Sequence, residues 1–285
     1  MMEWAASGLS KSQRDFVVSM LGDDLDLVSD MSWGQVDTRV LRVMAGTEHF
    51  VVKAAGPSNH HIGREISAHE TATGPLLSRD LCARLVGVAR GSNILVTTFV
   101  RGELVEGTPA ELSPEVQAQA GALLRAFHSQ SARLDDEYEA RVTHQALQRL
   151  SQDHRIPYDI EDRAREILNG YSPHPILVVP THGDWQPRNW VFDGTKVRVI
   201  DFGRFDYRPA ATDLCRLAVQ QWRSMPSLEI AFMSGYVDDP RDPEVWGIDL
   251  LREAVGTAVW AHRVGDEPFE QQGQRMLREA LQHFV

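Results

Sequence analysis

The sequence predicts an α+β protein in two parts, and three observations carry that expectation. Up to about residue 100 the chain alternates short β-branched or aromatic runs with turn signals. Beyond Gly102 the runs lengthen and take helical spacing, opened by caps such as Ser113-Pro114-Glu115. The change of texture falls at Arg101-Gly102, which predicts an antiparallel-sheet lobe with a helix over 1–101 and a larger, mainly helical lobe over 102–285.

In order, Asp24–Met31 reads as a strand, followed by a turn at Ser32-Trp33-Gly34-Gln35, the alternating run Thr38–Val43, and His49–Ala55 after Gly46-Thr47. Gly63–Thr73 reads as a helix ended by Gly74-Pro75, and Arg84–Val88 and Ile94–Val100 as strands about Gly91-Ser92-Asn93. Ser113–Ser129, Val142–Asp153 and Glu161–Leu168 read as helices. After a strand–loop–strand segment come Asp213–Ser224, Leu228–Tyr236, Glu244–His262 and Pro268–His283.

Thr181–Gly203, THGDWQPRNWVFDGTKVRVIDFG, is the segment richest in chemistry. His182, Asp184 and Asn189 stand in H-x-D-x-x-x-x-N spacing, and Asp201 opens an Asp-Phe-Gly triplet. Apolar runs at Ile176–Val179 and Lys196–Ile200 flank the loop, with a turn at Asp193-Gly194. Phosphoryl transfer needs a carboxylate to take the proton of an attacking hydroxyl. It also needs an amide oxygen and a second carboxylate to hold a magnesium ion on the nucleotide phosphates. Either half of the motif occurs by chance; both together, in this order, point to that chemistry.

Only three lysines occur, Lys11, Lys53 and Lys196. Lys53 lies inside the apolar strand Phe50–Ala54, where an unpaired ammonium is costly to bury. It calls for a carboxylate, Glu65 or its competitor Glu70, and for phosphate; an edge-strand lysine reaching water is the plain alternative. Ser32, with the backbone N–H groups of its turn, is a candidate hydrogen-bond donor to phosphate oxygens, although an ordinary hairpin turn reads the same way.

Charged residues make up 24% and hydrophobic ones 42%, as in a globular protein. The net charge of −11 speaks against nucleic acid as partner and suits a cationic one, though solubility alone accounts for it equally well. No run of about 18 apolar residues predicts a membrane span. The segment MMEWAASGLSKSQRDF lacks the pattern of a secretory signal. Cys82 and Cys215, in apolar settings and outside any CxxC pattern, read as buried thiols. A cytoplasmic protein is expected.

With these residues in hand, the chain resembles the aminoglycoside phosphotransferase and choline kinase-like family of small-molecule kinases. The resemblance rests on VVK at 51–53, GREISAH at 63–69, ILVTTFVRG at 94–102, LLRAFHS at 123–129, HGDWQPRNW at 182–190, IDFGR at 200–204 and ATDLCRL at 211–217. It implies a bilobal protein-kinase-like fold, ATP or GTP as phosphate donor and Mg2+ as cofactor. Asp184 would be the catalytic base, Asn189 and Asp201 the metal ligands, and Lys53 with Glu65 the phosphate-binding pair. Thr98–Val100 would hold the purine through its backbone. Asp213 would brace the catalytic loop, or cap the helix that follows. The family commonly has His-Pro-Gly inside the loop where this chain has Gln186-Pro187-Arg188, which leaves Arg188 between phosphate and solvent. His182 is expected to be a structural hydrogen-bonding residue.

The acceptor is expected in the helical lobe, where Asp238, Asp239, Asp242, Glu244, Trp246 and Asp249 form an acidic, aromatic cluster. A solvated loop and amphipathic helix is the bland alternative. The favoured acceptor is a cationic antibiotic, an aminoglycoside or basic peptide. A metabolite (choline, homoserine, methylthioribose or a sugar) is the rival, and a non-catalytic nucleotide-binding scaffold the third.

Overall fold

The computed structural model describes residues 4, 7–34 and 37–284. Gln35, the last residue of the expected Ser32–Gln35 turn, lies outside them. The chain forms two compact units: 1–130 with 182–206 and 227–237, and 131–181 with 207–226 and 238–285. Arg101 and Gly102, the expected lobe junction, lie inside the first.

The first unit opens with α1 (Lys11–Leu21), a helix that strand-seeking periodicity passed over. Its signal was local: Ser10 and Gln13 form a capping box, each side chain bonding the other's backbone N–H. A five-stranded antiparallel sheet follows, built from β1 (Leu25–Asp30), β2 (Arg39–Ala45), β3 (Glu48–Ala54), β4 (Leu85–Ala89) and β5 (Ile94–Thr98), in the order β1-β2-β3-β5-β4. Gly46, at φ 60°, supplies the left-handed residue that the tight β2–β3 turn requires.

Alternation then sorts side chains onto two faces. Leu41, Val43, Phe50, Val52, Ala54, Ile94 and Val96 are buried with Leu27 and with Val17 of α1. Each such Leu, Val, Ile or Phe side chain contributes roughly 1.5–3 kcal/mol by leaving water. Lys53 and its cross-strand partner Leu95 lie on the opposite face. There Leu95 packs with Ile62 and Ile66 of α2 (His61–Thr71). The helix that covers Lys53 is thus the one that carries Glu65.

Helix α3 (Gly74–Leu77) leads into β4, and after β5 the short strand β6 (Glu103–Leu104) pairs with β9 (Trp190–Phe192); β10 (Val197–Val199) completes a three-stranded sheet. Gly102 stands at φ 131°, and a Cβ there would lie 2.7 Å from the Phe192 carbonyl oxygen, so the close approach needs glycine. Ser113 caps α4 (Pro114–His128) through the Val116 N–H, as its Ser-Pro-Glu start predicts. Helix α4 packs on α9 (Pro226–Tyr236) through glycines: a Cβ on Gly121 would fall 2.1 Å from the Phe232 oxygen, and one on Gly235 1.9 Å from that of Ala118.

The second unit contains β7 (Arg133–Asp135), β8 (Ile176–Thr181) and β11 (Asp206–Arg208), in the order β11-β8-β7. Its helices are α5 (Tyr138–Leu150), α6 (Tyr158–Gly170), α7 (Cys215–Val219), α8 (Gln221–Ser224), α10 (Pro243–Val264) and α11 (Glu267–Leu281). Their core joins Leu150, Leu168, Leu251, Val255, Met276 and Leu277. The helix expected over Asp213–Ser224 is broken into a 3-10 turn, Ala210–Leu214, and two short helices, because Gln220 leaves helical geometry at φ −120°, ψ −91°. Both cysteines are free and buried. No helix among the described residues is long and apolar enough to cross a membrane.

Candidate active site

Two clusters of polar side chains, both in the first unit, meet at the Asp-Phe-Gly segment. In the first, Lys53 Nζ lies 2.8 and 3.0 Å from the two oxygens of Glu65 and 3.0 Å from Asp201 Oδ1. Glu65 is therefore the partner; the competitor Glu70 instead meets Arg90 at 2.5 Å. Burial raises the Glu65 carboxyl above its ordinary range, against the opposing pull of Lys53 and of the Phe202 backbone N–H. Burial alone would pull Lys53 down, but the Asp201 and Glu65 carboxylates outweigh it and hold the ammonium charged. The same lysine holds Asp201 below the usual carboxylate range.

Asp201 adopts φ 65°, the left-handed region that costs most residues roughly 1–2 kcal/mol and that Asp tolerates better. Its side chain is half exposed, whereas that of Glu65 is only 6% exposed. Of the three charged groups, Asp201 is the one that offers an oxygen outward.

The second cluster surrounds Asp184, which is buried directly after Gly183 at φ 80°. Oδ1 accepts from Gln186 Nε2 at 2.6 Å. Oδ2 accepts from Asn189 Nδ2 at 2.9 Å and from Arg188 Nη2 and Nε at 2.7 and 3.3 Å. Asn189 Nδ2 also donates to the Asp184 carbonyl at 2.8 Å, so the amide spends its donor end on Asp184 and turns its oxygen away. Arg188 does not simply point to solvent; it reaches the carboxylate. The loop spacing alone gave no sign of this.

The backbone ties the clusters together. Ile200 donates its N–H to the Asn189 carbonyl at 3.0 Å. His182, fully buried, accepts from the Asp184 N–H at Nδ1 and so donates from Nε2 to the Ile200 carbonyl, 3.0 Å away. His182 thus has the structural part expected of it. Hairpin β9–β10 is closed by Asp193, whose Oδ1 accepts from the N–H groups of Thr195 and Lys196.

The remaining expected residues stand apart from this pair of clusters. Ser32 Oγ accepts from the Val40 N–H and so ties its turn to β2. Thr98 exchanges bonds with Arg84, whose carbonyl takes its N–H and whose N–H meets its hydroxyl oxygen, each at 2.9 Å. Val100, two residues on, is half-buried. Asp213 is buried in the 3-10 turn and is not a helix cap, since α7 starts from Leu214 with no side-chain cap.

Among the acidic residues of the second unit, Asp239 is bound by Arg241 at 2.6 Å, Asp242 caps α10 through the Glu244 N–H, and Trp246 lies under the Arg241 guanidinium. Asp249 is buried with Arg252, which also grips Glu139 at 3.1 and 2.9 Å. Asp238 and Glu244 are exposed.

The profile of the phosphotransferase enzyme family matches residues 33–247. The chain belongs to that family. It is an enzyme, a phosphotransferase with an alcohol as acceptor. No curated protein sequence matches it. Among solved structures, a choline kinase from Streptococcus pneumoniae is similar at a TM-score of 0.66 and 13% identity, over 95% of this chain and 98% of that one. An aminoglycoside phosphotransferase in ternary complex with AMP-PNP and hygromycin B gives 0.68 at 13%, over 95% and 98%. An ethanolamine kinase from Plasmodium vivax gives 0.61 at 13%, over 95% and 87%. These likenesses give the phosphotransferase its protein-kinase-like α+β fold.

Proposed function

We propose that the protein moves the γ-phosphoryl group of ATP or GTP onto a hydroxyl of a small molecule in the cytoplasm, with magnesium as cofactor. The observation that carries this reading is the juxtaposition of a buried carboxylate, Asp184, with the Lys53–Glu65–Asp201 cluster in one unit. The acceptor hydroxyl bonds Asp184, which takes its proton as the oxygen forms its bond to phosphorus. The bond from phosphorus to the leaving diphosphate oxygen breaks, and the diphosphate keeps the electron pair. Lys53, fixed by Glu65, receives the donor's inner phosphates, and the Thr98–Val100 backbone receives the purine.

Asp201 and the Asn189 oxygen would hold magnesium, which when bound neutralises charge on the phosphoryl oxygens. The donor set fits: one ionised carboxylate with an outward oxygen and one amide oxygen suit an ion that completes its shell with phosphates and water. Among the described residues no group of three His, Cys, Asp or Glu side chains gathers around a metal position, as a dedicated protein cage would require.

For the acceptor, a cationic antibiotic remains the first reading, with Asp238, Asp239, Asp242, Glu244, Trp246 and Asp249 as its contacts. The commitment of Asp239 to Arg241 and of Asp249 to Arg252 favours the second, a neutral or singly charged metabolite such as choline, homoserine, methylthioribose or a sugar. Turnover of purified protein with ATP and with GTP against both panels decides between them. Phosphorylation of a polyamine antibiotic, with KM raised in an Asp238→Asn/Glu244→Gln variant, supports the first. Phosphorylation of metabolites alone supports the second. Nucleotide binding with neither panel turned over would place the acceptor outside both classes.

A further inference from the structure

Arg188 occupies a place in the loop that the proposed chemistry has not used. Its guanidinium presents one edge, Nε and Nη2, to Asp184 Oδ2. Its remaining three N–H donors lie on the other edges of the plane. The side chain is 35% exposed although the carboxylate it holds is 6% exposed, so the cation is the more accessible member of the pair. Lys53, the other cation of the site, is held by Glu65 and Asp201.

A hydroxyl bonded to Asp184 places its oxygen about 2.6–3.2 Å from the carboxylate, and an in-line phosphorus stands a further 3–3.5 Å or so beyond. The equatorial phosphoryl oxygens then come within reach of a guanidinium already on Oδ2. In a loose transition state those oxygens carry the spread charge.

We propose that Arg188 is a catalytic residue of this reaction: in the loaded enzyme it turns its outer N–H donors to an equatorial oxygen of the transferring γ-phosphoryl group. This rests on the phosphotransfer reading above. The arginine is thereby at once the clamp of Asp184 and a cation for the terminal phosphate. Arginine suits both tasks because its fork serves two anions at once, whereas lysine offers a point charge.

The test is calorimetric titration of wild type, Arg188→Ala and Arg188→Lys with Mg-ADP and with Mg-AMP-PNP, alongside the rate of Mg-ATP turnover and a thermal melt of each variant. Arg188→Ala should bind AMP-PNP about tenfold or more weakly, the effect of one lost charge-assisted hydrogen bond, with ADP affinity unchanged. Turnover should fall at least about 10²-fold. Arg188→Lys should recover part of both, and it carries the test if the alanine variant melts early. An unchanged ratio of ADP to AMP-PNP affinity would overturn the assignment and leave Arg188 as a structural partner of Asp184, or as a contact for an acid on the acceptor. Absence of magnesium-dependent binding of either nucleotide to wild type would instead remove the phosphotransfer reading beneath it.

Discussion

Lys53 and Asp201 stand 148 residues apart in the chain and 3.0 Å apart in space. Replacing Lys53 by Met keeps the apolar stem and removes the cation that Glu65 and Asp201 share. Removing one partner of a buried pair costs on the order of 3–5 kcal/mol, and less here because Asp201 is half exposed. The variant should show a lower denaturant midpoint and a nucleotide KM raised at least tenfold. A Lys53→Met enzyme with wild-type nucleotide KM would take the phosphate role from this residue.

Asp201→Ala should abolish magnesium-dependent nucleotide binding, and Asn189→Ala should weaken it, since one removes a charged ligand and the other a neutral one. Magnesium titrations of nucleotide affinity check both. Superimposable curves for wild type and Asp201→Ala would refute the ligand assignment.

Burial pushes the Asp249 carboxyl up to about 7, against the opposing pull of Arg252 and with the Glu139 charge adding to it. Between the ordinary carboxylate range and pH 7 the folded state therefore holds a proton that the unfolded chain has lost. Stability should fall as pH rises across that window, by at most about 1.4 kcal/mol per unit from this group. Asp249→Asn should flatten the fall and leave Arg252 paired with Glu139. Chemical denaturation from pH 4 to 8 measures it, and equal slopes for the two proteins would contradict the protonation.

The parts of this molecule legible in the sequence are those set by short-range signals. Strand alternation placed Lys53 on one face of β3, Ser113 and Pro114 announced α4, and the loop spacing brought Asp184 and Asn189 together. What sequence left undecided depended on packing. Glu65 was the partner expected of Lys53 over its competitor Glu70, and the orientation of α2 over Leu95 is the packing that brings Glu65 to the lysine. Arg188 gave no periodic signal of its direction. The acidic residues after Tyr236 read as an open cluster because their arginine partners, Arg241 nearby and Arg252 one helical turn past Asp249, became evident as pairs only in the folded helix. Helix α1 was signalled by its capping box alone.

The most direct measurement is the turnover of Asp184→Asn with its nucleotide affinity taken on the same preparation. The substitution keeps the shape of the side chain and removes the group that accepts the proton. In Asp184→Asn, kcat should be lower by about 10²–10⁴-fold with nucleotide Kd essentially unchanged. A variant that transfers phosphate at a near wild-type kcat would contradict it.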